Sequence, residues 1–85
     1  MKEEIKLSYY QNGQLEYEIP YVNGNKHGIT KGYHSNGQLR FEIPYKNGNC
    51  HGIQKGWNTI GQLKYKALRK NNLTHGALIE FDYGL

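Results

Sequence analysis

A unit of 24 residues recurs along this chain and constrains its fold more than any other feature. The segment NGQLEYEIPYVNGNKHGITKGY begins at Asn12, and NGQLRFEIPYKNGNCHGIQKGW begins 24 positions later at Asn36. A more divergent copy, IGQLKYKALRKNNLTHGALIEF, begins at Ile60. A fixed period of about 20–50 residues is typical of stacked arrays in which no unit buries its own apolar face. The sequence therefore predicts a repeat protein.

The repeat also sets the expected organisation of the chain. We expect residues 1–85 to form a single domain, close to the lower size limit for independent folding. Within this domain the sequence predicts a partial repeat at 1–8, full repeats at 9–32, 33–56 and 57–80, and the end of a terminal strand at 81–85.

Composition favours strands and tight turns over helices. The chain contains eleven glycines and eight tyrosines, and only 36% of its residues are hydrophobic. The N-terminus MKEEIKLSYY has acidic residues where a signal peptide has an apolar core, so we expect a cytoplasmic protein. Cys50 is the single cysteine, cannot form an internal disulfide, and is interpreted as an incidental thiol.

Positive charge accumulates toward the C-terminus. The formal net charge is +4, yet the charges of residues 9–32 cancel, whereas those of residues 57–80 sum to +3. This excess either keeps the protein soluble or forms a surface for an acidic partner. The residues of such a basic patch would be Arg40, Lys46, Lys64, Lys66, Arg69 and Lys70.

Alternating apolar and polar residues predict β-strands throughout. Leu15, Tyr17, Ile19 and Tyr21 alternate with polar positions, and the following copies repeat the pattern. Strands are expected near 4–10, 14–22, 28–34, 38–46, 52–58, 62–70 and 76–83. Because the connections are short, neighbouring strands must be antiparallel. The predicted fold is all-β: an elongated antiparallel β-meander of successive hairpins in a single sheet of about seven strands.

The apolar pattern also predicts the type of the first turn in each unit. A three-residue loop that ends in a left-handed glycine, a type I turn with a G1 bulge, places the apolar residues of both strands on one face. We expect this turn at Gly13, Gly37 and Gly61. The predicted register pairs Tyr9 with Leu15, Leu7 with Tyr17, Ile5 with Ile19, and Lys31 with Phe41.

The repeated motif resembles a known family. The stretch NGNKHGITKGYHSNGQLRFEIPYKNGNCHG is similar to tandem MORN repeats, and closest to the bacterial variant Tyr-x-x-Asn-Gly-x-Leu…Tyr-x-x-Gly-x-x-x-Gly. The third copy departs from this pattern at Ile60, Arg69 and Asn72. The resemblance implies an elongated sheet of hairpins. It also implies an antitoxin-like role, because proteins of the bacterial variant are often given that label, whereas other MORN proteins are associated with membranes, lipids or self-association.

No pattern in the chain predicts an enzyme, a metal site or a cofactor. The aligned residues His27, His51 and His75 lie two strands apart, about 9–10 Å, and therefore cannot share one zinc ion. We expect these side chains to cap turns by hydrogen bonding. Glu16, Glu18 and Glu42 are interpreted as cross-strand partners of lysine and arginine, not as an acid–base pair.

A large apolar face is the expected site of function. The predicted register gathers nine aromatic residues on it: Tyr9, Tyr17, Tyr21, Tyr33, Phe41, Tyr45, Trp57, Tyr65 and Phe81. A single-layer sheet must cover such a face. The sheet could curl over its own side chains, two chains could pair face to face, or another protein could dock. Tyrosine and tryptophan suit binding surfaces because they combine apolar area with a polar tip.

These features favour a non-catalytic protein-binding module, most simply a small inhibitor that blocks another protein. The partner would be a toxin, a nuclease or another effector, as for an antitoxin, an immunity protein or a phage-encoded inhibitor of a host defence nuclease, and a homodimer is a further option. One alternative is a module that binds anionic lipid at a membrane surface through the basic residues. Another is a nucleic-acid-binding protein, but the predicted register places most cations opposite the aromatic residues.

Overall fold

The computed structural model describes residues 1–71 and 73–80, and for residues 73–78 it describes the backbone only. All regular structure in this part of the chain is β, in one antiparallel sheet. The long strands are β1 (Glu3–Tyr9), β2 (Leu15–Val22), β4 (Gly28–Tyr33), β5 (Leu39–Lys46), β7 (Gly52–Trp57), β8 (Leu63–Lys70) and β9 (Leu73–Glu80). Two short strands complete the set, β3 (Asn25–Lys26) and β6 (Asn49–Cys50).

The sheet is the predicted meander. Its spatial order is β1-β2-β4-β5-β7-β8-β9, with β3 paired to β2 and β6 paired to β5. The seven long strands match the predicted ones to within one residue, except that the last begins at Leu73, three residues earlier than expected, and its predicted end at 83 lies outside the described residues. Every long strand lies beside its predecessor because hairpin connections bring consecutive strands together.

The molecule is one sheet thick. Its principal dimensions are 47 × 37 × 13 Å, and the described residues form no second layer over either face. Among the described residues no side chain is fully buried, and the residues that fall below a tenth exposed are Thr30, Gly32, Cys50, Gly56 and Ala67. The single sheet predicted from the repeats is therefore confirmed, and it has no interior core of its own.

The first turn of each unit is the predicted three-residue loop. The Gly13 amide donates to the Tyr10 carbonyl at 3.0 Å, and the Tyr10 amide donates to the Gln14 carbonyl at 2.8 Å. Gly13 has a φ of 90°, in the left-handed region that a G1 bulge requires. The same geometry recurs at Gly37 and Gly61, with φ of 91° and 87°.

The second turn of the first two units is a two-residue hairpin; that of the third unit includes Asn72, which lies outside the described residues. Asn23 and Gly24 both have positive φ, 51° and 84°, as a type I′ turn requires. The short strand β3 pairs back onto β2, and the His27 amide donates to the Pro20 carbonyl at 3.1 Å. Gly28, with a φ of 108°, then redirects the chain into β4. Pro20, which has no amide proton, thus lies where β2 separates from its neighbour.

A further β-bulge follows the first turn, and it makes most of the predicted register wrong. Tyr9 pairs with Leu15 as predicted, but the next pair is Ser8 with Tyr17, which leaves Glu16 as an extra residue. Beyond this point Leu7 lies opposite Glu18 and not opposite Tyr17. The next two repeats contain the same bulge. In the second repeat Gly32 pairs with Phe41 and Arg40 is the extra residue. In the third repeat Gly56 pairs with Tyr65 and Lys64 is the extra residue.

The bulge allows an aromatic ring to lie over a glycine. A Cβ atom on Gly32 would overlap the Phe41 ring, and a Cβ on Gly56 would overlap the Tyr65 ring. In the predicted register Lys31 would face Phe41, and its side chain would occupy the space that the ring fills. The extra residue in the bulge brings the glycine into place and thereby lets the ring pack flat on the backbone.

The corrected register divides the apolar residues between two faces. Cross-strand partners share a face, and successive residues of a strand alternate. One face, here called the ring face, carries Tyr17, Tyr21, Phe41, Tyr45 and Tyr65. The other, here called the aliphatic face, carries Ile5, Leu7, Ile29, Ile53 and Leu68. The expectation that all apolar residues share one face is wrong.

The glycine of the first turn can be tested at Gly13, where a Cβ would meet nothing within 4 Å. Because only the backbone conformation then opposes a side chain, Gly13→Val should lower the free energy of unfolding by about 1–3 kcal/mol in urea titrations. Gly13→Asn should cost less, since asparagine tolerates positive φ. Equal stability of Gly13→Val and the wild type would contradict the assigned turn.

Candidate binding surfaces

The ring face carries rows of aromatic rings separated by glycines, with Ile19, Ile43 and Ala67 in the row between them. Along one row across the sheet, Tyr17, Gly32, Phe41, Gly56 and Tyr65 follow one another on successive strands. The Tyr17 and Phe41 ring centres are 6.0 Å apart with planes tilted by 42°, a favourable aromatic arrangement. The glycines thus form gaps into which the rings lean, and the rings remain half-buried and accessible from the ring face.

Positive charges lie over several of these rings. The Lys6 ammonium is 5.0 Å from the centre of the Tyr21 ring, and the Lys26 ammonium is 4.9 Å from the centre of the Tyr45 ring. Both are cation–π contacts between neighbouring parts of the sheet. Burial raises the pKa of Tyr45 above its ordinary value, and a hydrogen bond with Cys50 adds to this rise. The Tyr45 phenol therefore stays neutral and offers a hydrogen-bonding group beside a cation.

A shallow cavity of about 390 Å³ opens on the ring face beside Asn58 and Thr59, in the first turn of the third unit. His34, Arg40, Phe41, Lys64 and Tyr65 are among the residues that line it. The Arg40 guanidinium carbon lies 5.6 Å from the centre of the Phe41 ring. Since Arg40 and Lys64 are the extra residues of their bulges, the same irregularity that seats the rings also brings cations to them.

The aliphatic face has a different character. Ile5, Ile29, Ile53 and Leu68 are between 41% and 62% exposed, and Ile5 and Ile29 lie opposite Pro20 and Pro44, the two prolines of the sheet. A second row on this face is charged: Glu18, Lys31, Glu42, Lys55 and Lys66 lie on successive strands. A third row contains Tyr9, Tyr33 and Trp57, paired with Leu15, Leu39 and Leu63.

Tyr33 joins the aromatic row of the aliphatic face to its charged row. Its hydroxyl donates to the Glu18 carboxylate at 3.4 Å. Burial raises the pKa of Tyr33 above its ordinary value, and the negative charge of Glu18 raises it further. The phenol therefore keeps its proton at neutral pH and can act as the donor.

The nine aromatic residues predicted for one binding face are thus divided. The ring face holds Tyr17, Tyr21, Phe41, Tyr45 and Tyr65, the aliphatic face holds Tyr9, Tyr33 and Trp57, and Phe81 lies outside the described residues. The predicted basic patch is divided as well. Arg40, Lys64 and Arg69 belong to the ring face, and Lys46, Lys66 and Lys70 belong to the aliphatic face.

His27 links two repeats rather than capping its own turn. His27 Nδ1 accepts a hydrogen bond from the Asn47 amide, in the corresponding turn of the next repeat, at 3.3 Å. The side chain of His75 lies outside the described residues. Among the side chains that the structure describes, no three of histidine, cysteine, aspartate or glutamate form a cluster that could hold a metal ion.

Sequence reasoning missed His34 and the first-turn asparagines, which also connect successive repeats. His34 Nε2 lies 3.0 Å from the Trp57 carbonyl. The Asn12 amide nitrogen donates to the Ser35 carbonyl at 3.0 Å, and that of Asn36 donates to the Thr59 carbonyl at 2.8 Å. The available signal for the asparagine contacts was the repetition of Asn-Gly at Asn12 and Asn36. In the third copy Ile60 replaces the asparagine, close to the end of the described array.

Comparison with known proteins agrees with this architecture. Residues 5–23 and 26–47 match the family model described as MORN repeat variant. These two segments are similar to MORN repeats, which are modules often involved in protein or membrane binding and not known as catalytic. No curated protein and no solved structure matches the chain. In the described part of the chain, no helix is long and apolar enough to cross a membrane.

The contact between ring and glycine can be tested by a double-mutant cycle. Gly32→Ala should lower the free energy of unfolding by about 1–3 kcal/mol, because the new methyl group displaces the Phe41 ring. In a Phe41→Ala background the same change should be neutral or stabilise by up to about 1 kcal/mol, since alanine restricts the unfolded chain. Urea denaturation of the four proteins measures the coupling. An equal cost in both backgrounds would contradict the contact.

Proposed function

We propose that this protein is a non-catalytic binding module that occupies and blocks another protein through the ring face. The observation that carries this proposal is a sheet 13 Å thick in which no described side chain is fully buried. Such a sheet holds its aromatic residues at the surface, where they are available to a partner. Aromatic side chains on a rigid scaffold dominate the binding energy of many protein interfaces.

The construction of the ring face supports this role. Phe41 and Tyr65 are held over glycines and Tyr17 packs beside Phe41, so that binding would restrict little additional motion of these side chains. Tyrosine hydroxyls and the cations at Tyr21 and Tyr45 provide polar contacts around the rings. This mixture of apolar area with a polar rim is typical of protein-binding sites.

A small binder of this kind acts by covering the working surface of its partner. We infer an inhibitor of a toxin, a nuclease or another effector, in the manner of an antitoxin, an immunity protein or a phage-encoded inhibitor of a host defence nuclease. The net charge of +4 opposes imitation of DNA, so contact through apolar area is the favoured mechanism.

Nucleic-acid binding is the second candidate, and one observation favours it. The bulges place Arg40 and Lys64 beside Phe41 and Tyr65, so cations and stacking surfaces do share a cavity. Binding to a lipid surface has less support. The basic residues divide between the two faces, and a flat membrane would contact one face at a time.

The test is recovery of a partner on immobilised protein from an extract of the native cell, in about 50 and about 300 mM salt. The wild type should retain a protein at both concentrations. Tyr21→Ala should reduce that recovery about tenfold or more, because it removes an aromatic contact from the ring face. Ile60→Ala, a loss of exposed apolar area in a turn, should leave the recovery unchanged.

A captured protein should also lose its activity when the wild type is added, and should keep it with Tyr21→Ala. Two results would contradict the proposal. One is recovery that Tyr21→Ala does not affect. The other is recovery of nucleic acid or lipid alone, lost at the higher salt concentration.

A further inference from the structure

The charged row of the aliphatic face has an arrangement that matches a second copy of itself. Glu18, Lys31, Glu42 and Lys55 lie on the successive long strands β2, β4, β5 and β7, joined by direct cross-strand pairing. Their charges alternate: negative, positive, negative, positive. Read in the opposite direction, these four positions complement one another, with each negative position facing a positive one. Lys66, which continues the row on β8, then faces Leu7 of β1.

We propose that two copies of this chain pair through their aliphatic faces about a two-fold axis. The axis runs parallel to the strands and passes between β4 and β5. It reverses the strand order of one copy relative to the other, so that Lys31 opposes Glu42 of the second copy, and Glu18 opposes Lys55 of the second copy. A two-fold interface requires this kind of self-complementary surface. Glu3 and Lys70, which belong to β1 and β8 on the same face, are brought together by the same axis.

The apolar rows fit the same operation. Because the axis is parallel to the strands, each row faces itself, and apolar residues meet apolar residues. Ile29 opposes Pro44 of the second copy, and Ile53 opposes Pro20 of the second copy. The row that contains Tyr33 and Trp57 also faces its own counterpart. The charged row would then lie between two apolar rows, where opposite charges fix the register of two packed sheets.

An axis perpendicular to the strands gives a worse match. It keeps the strand order, so Glu18 would oppose Glu18 and Lys31 would oppose Lys31, and like charges in an interface are unfavourable. Among the described residues, no ion pair joins the members of the charged row to one another within the sheet. These half-buried side chains are therefore placed to pair between copies.

The size of the surface is sufficient for a stable dimer. Specific interfaces bury about 800 Å² per partner. The sheet measures 47 × 37 Å across its face, which leaves an area well above this requirement. Four aliphatic side chains of this face, Ile5, Ile29, Ile53 and Leu68, are between 41% and 62% exposed in the single chain and would be covered.

This pairing goes beyond the proposed function and leaves the ring face free. Two ring faces would point outward from the dimer, on opposite sides. The dimer could then hold two partner molecules at once, and each additional contact on a multimeric partner would strengthen binding by raising the effective concentration.

The test uses two variants whose charged rows no longer complement themselves. Lys31→Glu with Lys55→Glu gives an entirely acidic stretch, and Glu18→Lys with Glu42→Lys gives an entirely basic one. Sedimentation equilibrium should show a dimer for the wild type. Each variant alone should dimerise about a hundredfold more weakly or worse, because like charges meet. An equimolar mixture of the two variants should form a dimer again.

If mixing the two variants restores the dimer, the charges must pair between copies, because mixing cannot restore contacts that were lost within one sheet. Three results would overturn the proposal: a wild type that stays monomeric at the highest soluble concentration, variants that still dimerise alone, or folded variants that stay monomeric when mixed.

If circular dichroism shows that either double variant is unfolded, the oligomeric state of two single-substitution variants tests the proposal instead. Ile29→Lys, at a half-exposed position beside the axis, should give a monomer, and Glu80→Lys, at an exposed position on the ring face, should leave the dimer intact. A dimeric Ile29→Lys would overturn the proposal. All these measurements use the purified chain alone, so a monomer would leave the blocking function standing, and a dimer would stand even if no partner were captured.

Discussion

The packing of an aromatic ring onto a glycine of the neighbouring strand is the contact on which the rest of this structure depends. Phe41 covers Gly32, and Tyr65 covers Gly56. For each ring to reach its glycine, one strand must contain an extra residue, and the bulges at Arg40 and Lys64 supply it. Because a shift of one residue exchanges the two faces of a strand, this local requirement decides which side chains share a surface throughout the sheet.

Two unlike faces follow from that shift. The ring face has rings, glycines and cations in direct contact, whereas the aliphatic face has isoleucine, leucine and proline beside a row of alternating charges. A single layer with one apolar face and one polar face would have one surface to cover. This sheet has two surfaces of different chemistry, so the proposed pairing of two copies on one side would leave the other side open to the proposed partner. The repeat extends both faces together, since each added unit contributes the same rows.

The sequence was sufficient to predict the all-β meander, the number of long strands and the turn at Gly13, because period-2 alternation and Asn-Gly turns are local signals. It was not sufficient to predict the register beyond that turn. The predicted pairing of Lys31 with Phe41 placed a charged residue among rings, and that conflict was the available sign of an error. The bulge could not be identified from Glu16 or Arg40 themselves, since any residue can occupy the extra position. The unusual feature was Gly32, which lies inside a strand with no turn to explain it.

The division of the predicted binding residues has the same cause. Tyr33 and Phe41 were placed together by alternation alone, and the extra residue separates them onto opposite faces. Arg40 was expected to lie away from the rings and instead lies above one of them. Contacts between repeats, such as the hydrogen bond from Asn12 to the Ser35 carbonyl, depend on the lateral spacing of turns and have no signature within a single unit.

The register can be measured directly by nuclear Overhauser contacts across β4 and β5. The structure predicts strong contacts between the Gly32 α protons and the aromatic protons of Phe41, and pairing of Lys31 with Glu42 on the opposite face. Contacts that instead place the Lys31 α proton opposite Phe41 would show that the bulge at Arg40 is absent, and the residues of both faces would have to be reassigned.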